Sequence, residues 1–319
     1  MTVDENSRGL AVVVNPHTLQ GPCAALWATA LARLRSGRPV TRLDTAGDGG
    51  DAARIAACIA AERPSIVVAA GGDGTVRDVA AALVAGGPSP APALAILPLG
   101  TANNIARSLG LLAFRQRGPE AVERAVVAIL AGTERRIDLG QADAHLFCGS
   151  FAVGMDAAIL SARNRWRRRW HLGPRLGGYP LYLFSCAVSL ARQRSVAGRL
   201  RLDGAPHDGP VYNLLVLNTA LYAGEFRFDG ADHSADGRLD LHLFTSPSDY
   251  VRAFVTAWRR HLRHQRGASI APPAGLRRIE HAAIALAQPM AAQIDGEEHG
   301  SADRYDVRVL PGALRVRVP

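Results

Sequence analysis

Ser65-Ile-Val-Val-Ala-Ala-Gly-Gly-Asp-Gly-Thr75 is the stretch on which the fold turns. An apolar run of strand-forming residues stops at a glycine-rich turn, and Val76 to Leu83 then continues with apolar residues at helical spacing. The same arrangement recurs on either side. Ala11 to Val14 halts at Asn15-Pro16 before a helical pattern from Cys23 to Leu34, and Ala93 to Leu97 halts at Pro98-Leu-Gly-Thr101 before Ala102 to Leu109. Strands alternating with helices imply parallel pairing in a layered α/β domain. A further helix opens at Gly118-Pro119-Glu120 and closes at Gly132.

From Arg136 the rhythm changes to strand-like runs: Leu146 to Val153, Val211 to Asn218, Leu239 to Phe244, Ala282 to Ala287 and Tyr305 to Val309. Two helices are expected among them, one around Leu181 to Arg192 and one over Ser248 to His264. The expected organisation is an α/β domain with a parallel sheet over residues 1–137 and a β-rich, sandwich-like domain over 138–319. The last strand is able to return to the first domain.

The chain has 319 residues, 48% hydrophobic and 20% charged, with no run of roughly 20 apolar residues, so neither disorder nor a membrane-embedded helix is expected. Four scattered cysteines without a Cys-x-x-Cys pair read as reduced thiols, and the polar start of the chain carries no export signal, so a cytoplasmic location is expected. All 37 basic residues are Arg, against 28 acids. The excess is concentrated. Ala157 to Leu202 holds ten Arg and no acid, and Tyr250 to Ile279 holds seven Arg and no acid.

Such segments suit an anionic surface. No nucleic-acid module is recognisable, and none is expected as partner. Arg163-Asn-Arg-Trp-Arg-Arg-Arg-Trp170 mixes the side chains found at lipid–water interfaces and reads as a membrane-docking loop. In the Ser248 to His264 helix, Val251, Phe254, Val255, Trp258 and Leu262 fall at helical spacing, with Arg252, Arg259 and Arg263 elsewhere on the turn. His261 and His264 read as solvent-facing.

The turn Gly71-Gly-Asp-Gly-Thr75 lets a phosphate approach backbone N–H groups at a helix N-terminus. It is not a P-loop, because the chain has no Lys. Leu97-Pro-Leu-Gly-Thr-Ala-Asn-Asn104 delivers a second such N-terminus, with Gly100, Thr101 and Asn103 near it. Two such turns on successive strands belong side by side at the C-terminal edge of a parallel sheet.

These residues resemble the diacylglycerol kinase catalytic-domain family, which includes bacterial lipid kinases and sphingosine and ceramide kinases. The likeness extends from Val14-Asn15-Pro16, through Thr45 with Gly50-Asp51-Ala52, both glycine turns and Gly154-Met-Asp-Ala157. It continues to Ser234-Ala-Asp-Gly-Arg-Leu239 and Ile294-Asp-Gly-Glu297. The resemblance implies ATP in a cleft between the two domains, contacted by Asn15, Thr45, Gly71, Gly72, Asp73, Gly74, Thr75, Val76, Arg77, Gly100, Thr101 and Asn103. It implies catalysis by Glu297 as the favoured base, with Asp295 second, and by Asp73. It further implies a structural magnesium held by Asp236 and the backbone carbonyls of His233 and Arg238.

The implied activity is transfer of the ATP γ-phosphate to a lipid hydroxyl, most simply diacylglycerol to phosphatidic acid. The implied setting is the inner membrane surface, contacted through Arg163–Trp170 and the Ser248–His264 helix, and a homodimer is left open. Two alternatives stand beside it: a sphingoid-base or ceramide-type kinase, and a non-catalytic nucleotide- or lipid-binding regulator. An NAD kinase shares Gly-Gly-Asp-Gly-Thr, but its other motifs are missing here. The chain departs from the family in the longer Asn15–Gly21 loop and in Arg77, where a smaller polar residue is usual.

Overall fold

The structure, a computed structural model, describes residues 9–85, 91–100, 102–111, 118–170, 178–229, 233–267 and 276–319. It divides into two compact units, one of residues 1–139 with 311–319 and one of residues 140–310.

The first unit runs β1 (Leu10–Val14), α1 (Pro22–Arg35), β2 (Val40–Asp44), α2 (Asp51–Glu62), β3 (Ile66–Gly71), α3 (Asp73–Val84), β4 (Ala93–Pro98), α4 (Asn104–Ser108), α5 (Pro119–Ala131) and the start of β5 (Thr133–Ala142). The strands pair in parallel in the order β2-β1-β3-β4, and the segment around Val316 pairs in parallel with β4. Strands β1, β3 and β4 are buried along their whole length, as expected when helices cover both faces of a parallel sheet. Leu10, Val12, Val14, Val68 and Leu97 pack against Trp27 and Leu34 of α1 and Val126 and Ile129 of α5. Gly132 ends α5 because a Cβ there would overlap the carbonyl oxygens of Ala128 and Val318.

Strand order sets the site. The chain leaves β1 toward β2 on one side and returns to β3 on the other, so a crevice opens where β1 and β3 end. That edge carries Asn15 and Gly71.

The second unit continues with β6 (His145–Phe147), β7 (Ser150–Gly154), α6 (Met155–Trp170), α7 (Tyr179–Arg192), β8 (Val196–Leu202), β9 (Ala205–Val211), β10 (Asn213–Leu217), β11 (Leu221–Tyr222), β12 (Phe226–Arg227), β13 (Leu239–Phe244), α8 (Pro247–Gln265), β14 (Arg277–Ile279), β15 (His281–Ile294) and β16 (Glu297–Val318). Its strands are antiparallel in the order β14-β13-β10-β7-β15-β16, with β9-β8 branching from β15. Alternation sorts the side chains. Phe151, Val153, Leu214 and Val216 point into a core shared with Leu200, Leu202, Leu241, Ile284 and Val307. Ala152, Leu215 and Leu217 point the other way, against Ile159 of α6, Cys186 of α7 and Tyr250 and Phe254 of α8.

Three differences from the sequence reading stand out. Arg163–Trp170 is the C-terminal half of helix α6, not a loop: Ala157, Ile159 and Ala162 bury one face of a regular helix that draws the Arg-rich stretch into it. Leu146 to Val153 is two strands, interrupted at Cys148-Gly149. His261 is buried, on the core side of α8 with Tyr250 and Ala257, and hydrogen-bonded to Gln265 Nε2 at 2.6 Å.

Candidate active site

In the first unit the sheet's C-terminal edge gathers four strand ends by backbone hydrogen bonds. Asn15 N donates to the Ala70 carbonyl (3.1 Å), Thr45 N to the Val14 carbonyl (2.8 Å), and Gly100 N to the Gly71 carbonyl (3.1 Å). Asn15, Thr45, Gly71, Gly72 and Gly100 therefore share one rim. The Thr45–Gly50 loop is fixed from behind by Asp51, which accepts from Ala46 N (2.9 Å) and Gly47 N (2.8 Å). Burial opposes the charge of Asp51, but these donors and Arg54 outweigh it and hold the carboxyl below its ordinary range.

The two glycine turns are built for contact with each other. A Cβ on Gly100 would overlap the Gly72 Cα, and a Cβ on Gly71 would overlap the Thr75 hydroxyl. Asn103 closes the second turn in the left-handed region (φ 49), its Nδ2 donating to the Gly100 carbonyl at 2.8 Å. Asp73 then bolts the turns together: one oxygen accepts from Asn104 N (3.0 Å) and Asn104 Nδ2 (3.2 Å), the other from Ile105 N (3.1 Å). Its carboxylate thus caps the start of α4. Burial raises the Asp73 pKa, and those three donors pull against the rise.

Thr75 and Val76 are buried, Thr75 against Gly71, and so shape the turn from below. Gly72, Asp73 and Gly74 are half-buried, and the first N–H groups of α3 have no acceptor within the helix. That leaves a row of donors suited to phosphate oxygens. Arg77 stands one turn later, half-buried, 3.8 Å from the Asp78 carboxylate. Thr101 lies outside the described residues.

In the second unit β15 and β16 are joined by a two-residue Asp295-Gly296 turn, both residues at positive φ (48 and 84), with Ile294 opposite Glu297. Asp295 spends its carboxylate on three N–H groups: Cys148 (2.9 Å), Gly149 (2.8 Å) and Ser150 (2.8 Å). Gln293, 1% exposed, accepts from Gly296 N at 2.7 Å and donates to the Tyr222 hydroxyl at 3.3 Å. Around this fixed turn Glu297 is exposed. The geometry divides the two acids into a scaffold, Asp295, and a carboxylate turned outward, Glu297.

Residues 9–142 match the family described as the diacylglycerol kinase catalytic domain. That stretch is similar to the kinase domain. Its relatives agree. A chain from Pseudomonas aeruginosa PAO1 named "Probable lipid kinase YegS-like" is 29% identical over 304 residues, covering 95% of this chain and 92% of the relative. One of the same name from Enterobacter sp. strain 638 is 26% identical over 291 residues, 91% and 90% of the two chains. In fold, the chain is similar to the crystal structure of a diacylglycerol kinase from Bacillus anthracis str. Sterne. The TM-score is 0.69 at 17% identity, and the match covers 98% of this chain and 97% of that one.

The matched stretch contains the whole glycine-turn rim, and two of its struts escaped the sequence reading. Asn104 ends the second glycine-turn motif, but only the tertiary structure shows it holding Asp73. Asp51 gave the ordinary signal of an acid opening a helix. In the second unit, Asp156 likewise gives no signal of its role in the sequence. It is buried, accepts from Tyr250 Oη (2.6 Å) and Asn213 Nδ2 (2.8 Å), and has its pKa raised by burial to about 6.

The residues named for a structural magnesium do not fit the ion. Asp236 Oδ1 accepts from Arg238 N (3.0 Å), the His233 carbonyl accepts from Asp236 N (3.3 Å), and Asp236 Oδ2 faces His233 Nδ1 (3.4 Å) and Arg278 Nη1 (3.8 Å). The Arg278 guanidinium also reaches Asp229 Oδ2 (3.3 Å) and Asp240 Oδ1 (3.6 Å). A side-chain cation thus sits among three carboxylates. Among the described residues, no three His, Cys, Asp or Glu side chains gather in a metal-binding arrangement.

Proposed function

We propose that this protein transfers the γ-phosphate of ATP to a lipid hydroxyl, with diacylglycerol as acceptor and phosphatidic acid as product. The observation that carries the reading is the pair of glycine turns locked together by Asp73 at the C-terminal edge of a parallel sheet, inside a diacylglycerol kinase catalytic domain. The N–H groups that open α3 hold phosphate oxygens, and Asn15 and Thr45 on the same rim contact the nucleotide. Arg77 adds positive charge near the transferred group. Phosphoryl transfer needs positioning and charge neutralisation more than covalent help, which suits such a rim.

Glu297 accepts the proton of the lipid hydroxyl as its oxygen bonds to the γ-phosphorus, and the bond to the β–γ bridging oxygen breaks to release ADP. Asp295 acts as a positioning residue, because its oxygens already accept three backbone N–H groups. Asp73 likewise acts through the loop that it holds.

The test is transfer from labelled ATP, with magnesium supplied, to dispersed diacylglycerol, sphingosine, ceramide and NAD. Glu297→Gln is expected to lower kcat by about 10²- to 10⁴-fold with nucleotide binding retained. Asp73→Ala is expected to weaken nucleotide binding itself. Transfer to sphingosine or ceramide alone would replace the acceptor. Nucleotide binding without transfer to any acceptor would replace the kinase by a regulator.

A further inference from the structure

Among the described residues seven large hydrophobic side chains lie exposed, and six of them sit on the three helices of the second unit. They are Trp170 on α6, Leu183 and Phe184 on α7, and Val251, Val255 and Trp258 on α8. Two features organise them. Trp166, Trp170 and Phe184 meet ring to ring, with centroids 4.4 Å apart for the two indoles and 5.1 Å for Trp166 and Phe184, so α6 and α7 share one aromatic knob. On α8, Val251, Val255, Trp258 and Leu262 follow at i, i+4, i+7 and i+11 and form a single ridge.

Charge runs beside both. Arg252, Arg259, Arg263 and Arg266 are exposed and follow one another at i, i+7, i+11 and i+14, a second row next to the ridge. Arg165, Arg167, Arg168 and Arg169 are exposed around the knob. No acid occurs in α6 after Asp156 or in α8 after Asp249. The ridge is not needed for packing, since α8 meets the sheet through Tyr250, Phe254 and Ala257. Exposed apolar and Trp side chains alongside an Arg row are the make-up of a helix that lies in a bilayer interface. No described helix is long and apolar enough to cross one.

We propose that α6, α7 and α8 form a docking face for an anionic bilayer, with the ridge and knob entering the acyl boundary and the Arg rows meeting lipid phosphates. The face is tied to the candidate base. Asn164 of α6 donates Nδ2 to Glu298 Oε1 at 2.7 Å, so the helix bearing the aromatic knob also holds the hairpin that carries Glu297. What docking achieves, presenting a bilayer lipid's hydroxyl to that hairpin, rests on the kinase reading; the docking itself does not.

Co-sedimentation with phosphatidylcholine vesicles, with and without phosphatidylglycerol, tests it. The full chain is expected to bind only the mixed vesicles and to be released by salt. Arg252→Gln and Arg259→Gln are each expected to weaken binding about fivefold, and Val255→Ser with Trp258→Ser to weaken it further. Because these side chains are exposed, melting temperature and phosphorylation of a short-chain, monomeric diacylglycerol should match wild type. Failure to bind mixed vesicles, variants that bind like wild type, or preferential binding to a single-stranded oligonucleotide would overturn the proposal. Vesicle binding by a chain inactive on every lipid would overturn the kinase reading and leave the docking face standing.

Discussion

Asp73, Asp156 and Asp295 show how differently one residue type is used once it is buried. Asp73 and Asp295 each accept three N–H donors, so they act as struts between loops. Asp156 accepts two donors in an apolar surrounding shared with Tyr182 and Tyr222, and burial raises its pKa from 3.8 to about 6. The folded state then holds this proton more tightly than the unfolded chain. The stability due to Asp156 is therefore fully present below about pH 4 and is lost as pH rises through about 6, a swing of about 3 kcal/mol. Urea unfolding of wild type and Asp156→Asn from pH 4 to 7 measures it. The wild-type advantage should shrink across that range, and parallel profiles would show that Asp156 is not the titrating group.

At the scale of elements, hairpins and loops are held by side chains from distant strands. Asp203 and Asp295 each occupy the first position of an Asp-Gly turn at positive φ, as this turn type requires. Asp229, Asp236 and Asp240 are bridged by Arg278 of β14, whose guanidinium lies between them. Asp229 and Asp240 are almost wholly buried, and burial lifts Asp240 to about 6 even with His233 and Arg278 pulling it down. Removing the cation leaves both acids without it. Arg278→Met should cost about 2 kcal/mol, seen as a lowered melting temperature, while chelating magnesium should leave the wild-type melting temperature unchanged. A wild-type melting temperature that falls on chelation would show that a metal ion supports these carboxylates.

For the molecule as a whole, the first unit is completed by the end of the chain. Leu314 and Val316 are buried there, Val316 pairs with Leu94, and Arg315 and Arg317 bond Glu134 (3.2 Å), the Ala91 carbonyl and the Gly132 carbonyl (2.6 Å). A fragment of residues 9–142 lacks all of these. Leu314 and Val316 alone account for about 1.5–3 kcal/mol each of apolar burial. The fragment should unfold at lower denaturant than the same fragment fused through a flexible linker to residues 311–319, and equal midpoints would show that the returning segment adds nothing.

The sequence by itself determined the parallel α/β unit, because short apolar runs rich in Val and Ile and ended by Gly or Pro turns favour buried strands, and the glycines permit close backbone approach. It also marked both glycine turns and the Asp295-Gly296 turn, since each motif is contiguous in the chain. Tertiary structure alone decided which polar groups became struts. The donors to Asp73 lie 31 and 32 residues away and those to Asp295 lie 145 to 147 away. The helix at Arg163–Trp170 was hidden for a related reason. Eight residues with five Arg show no apolar period, and α6 forms because Ala157, Ile159 and Ala162, one or two turns earlier, find the sheet to pack on.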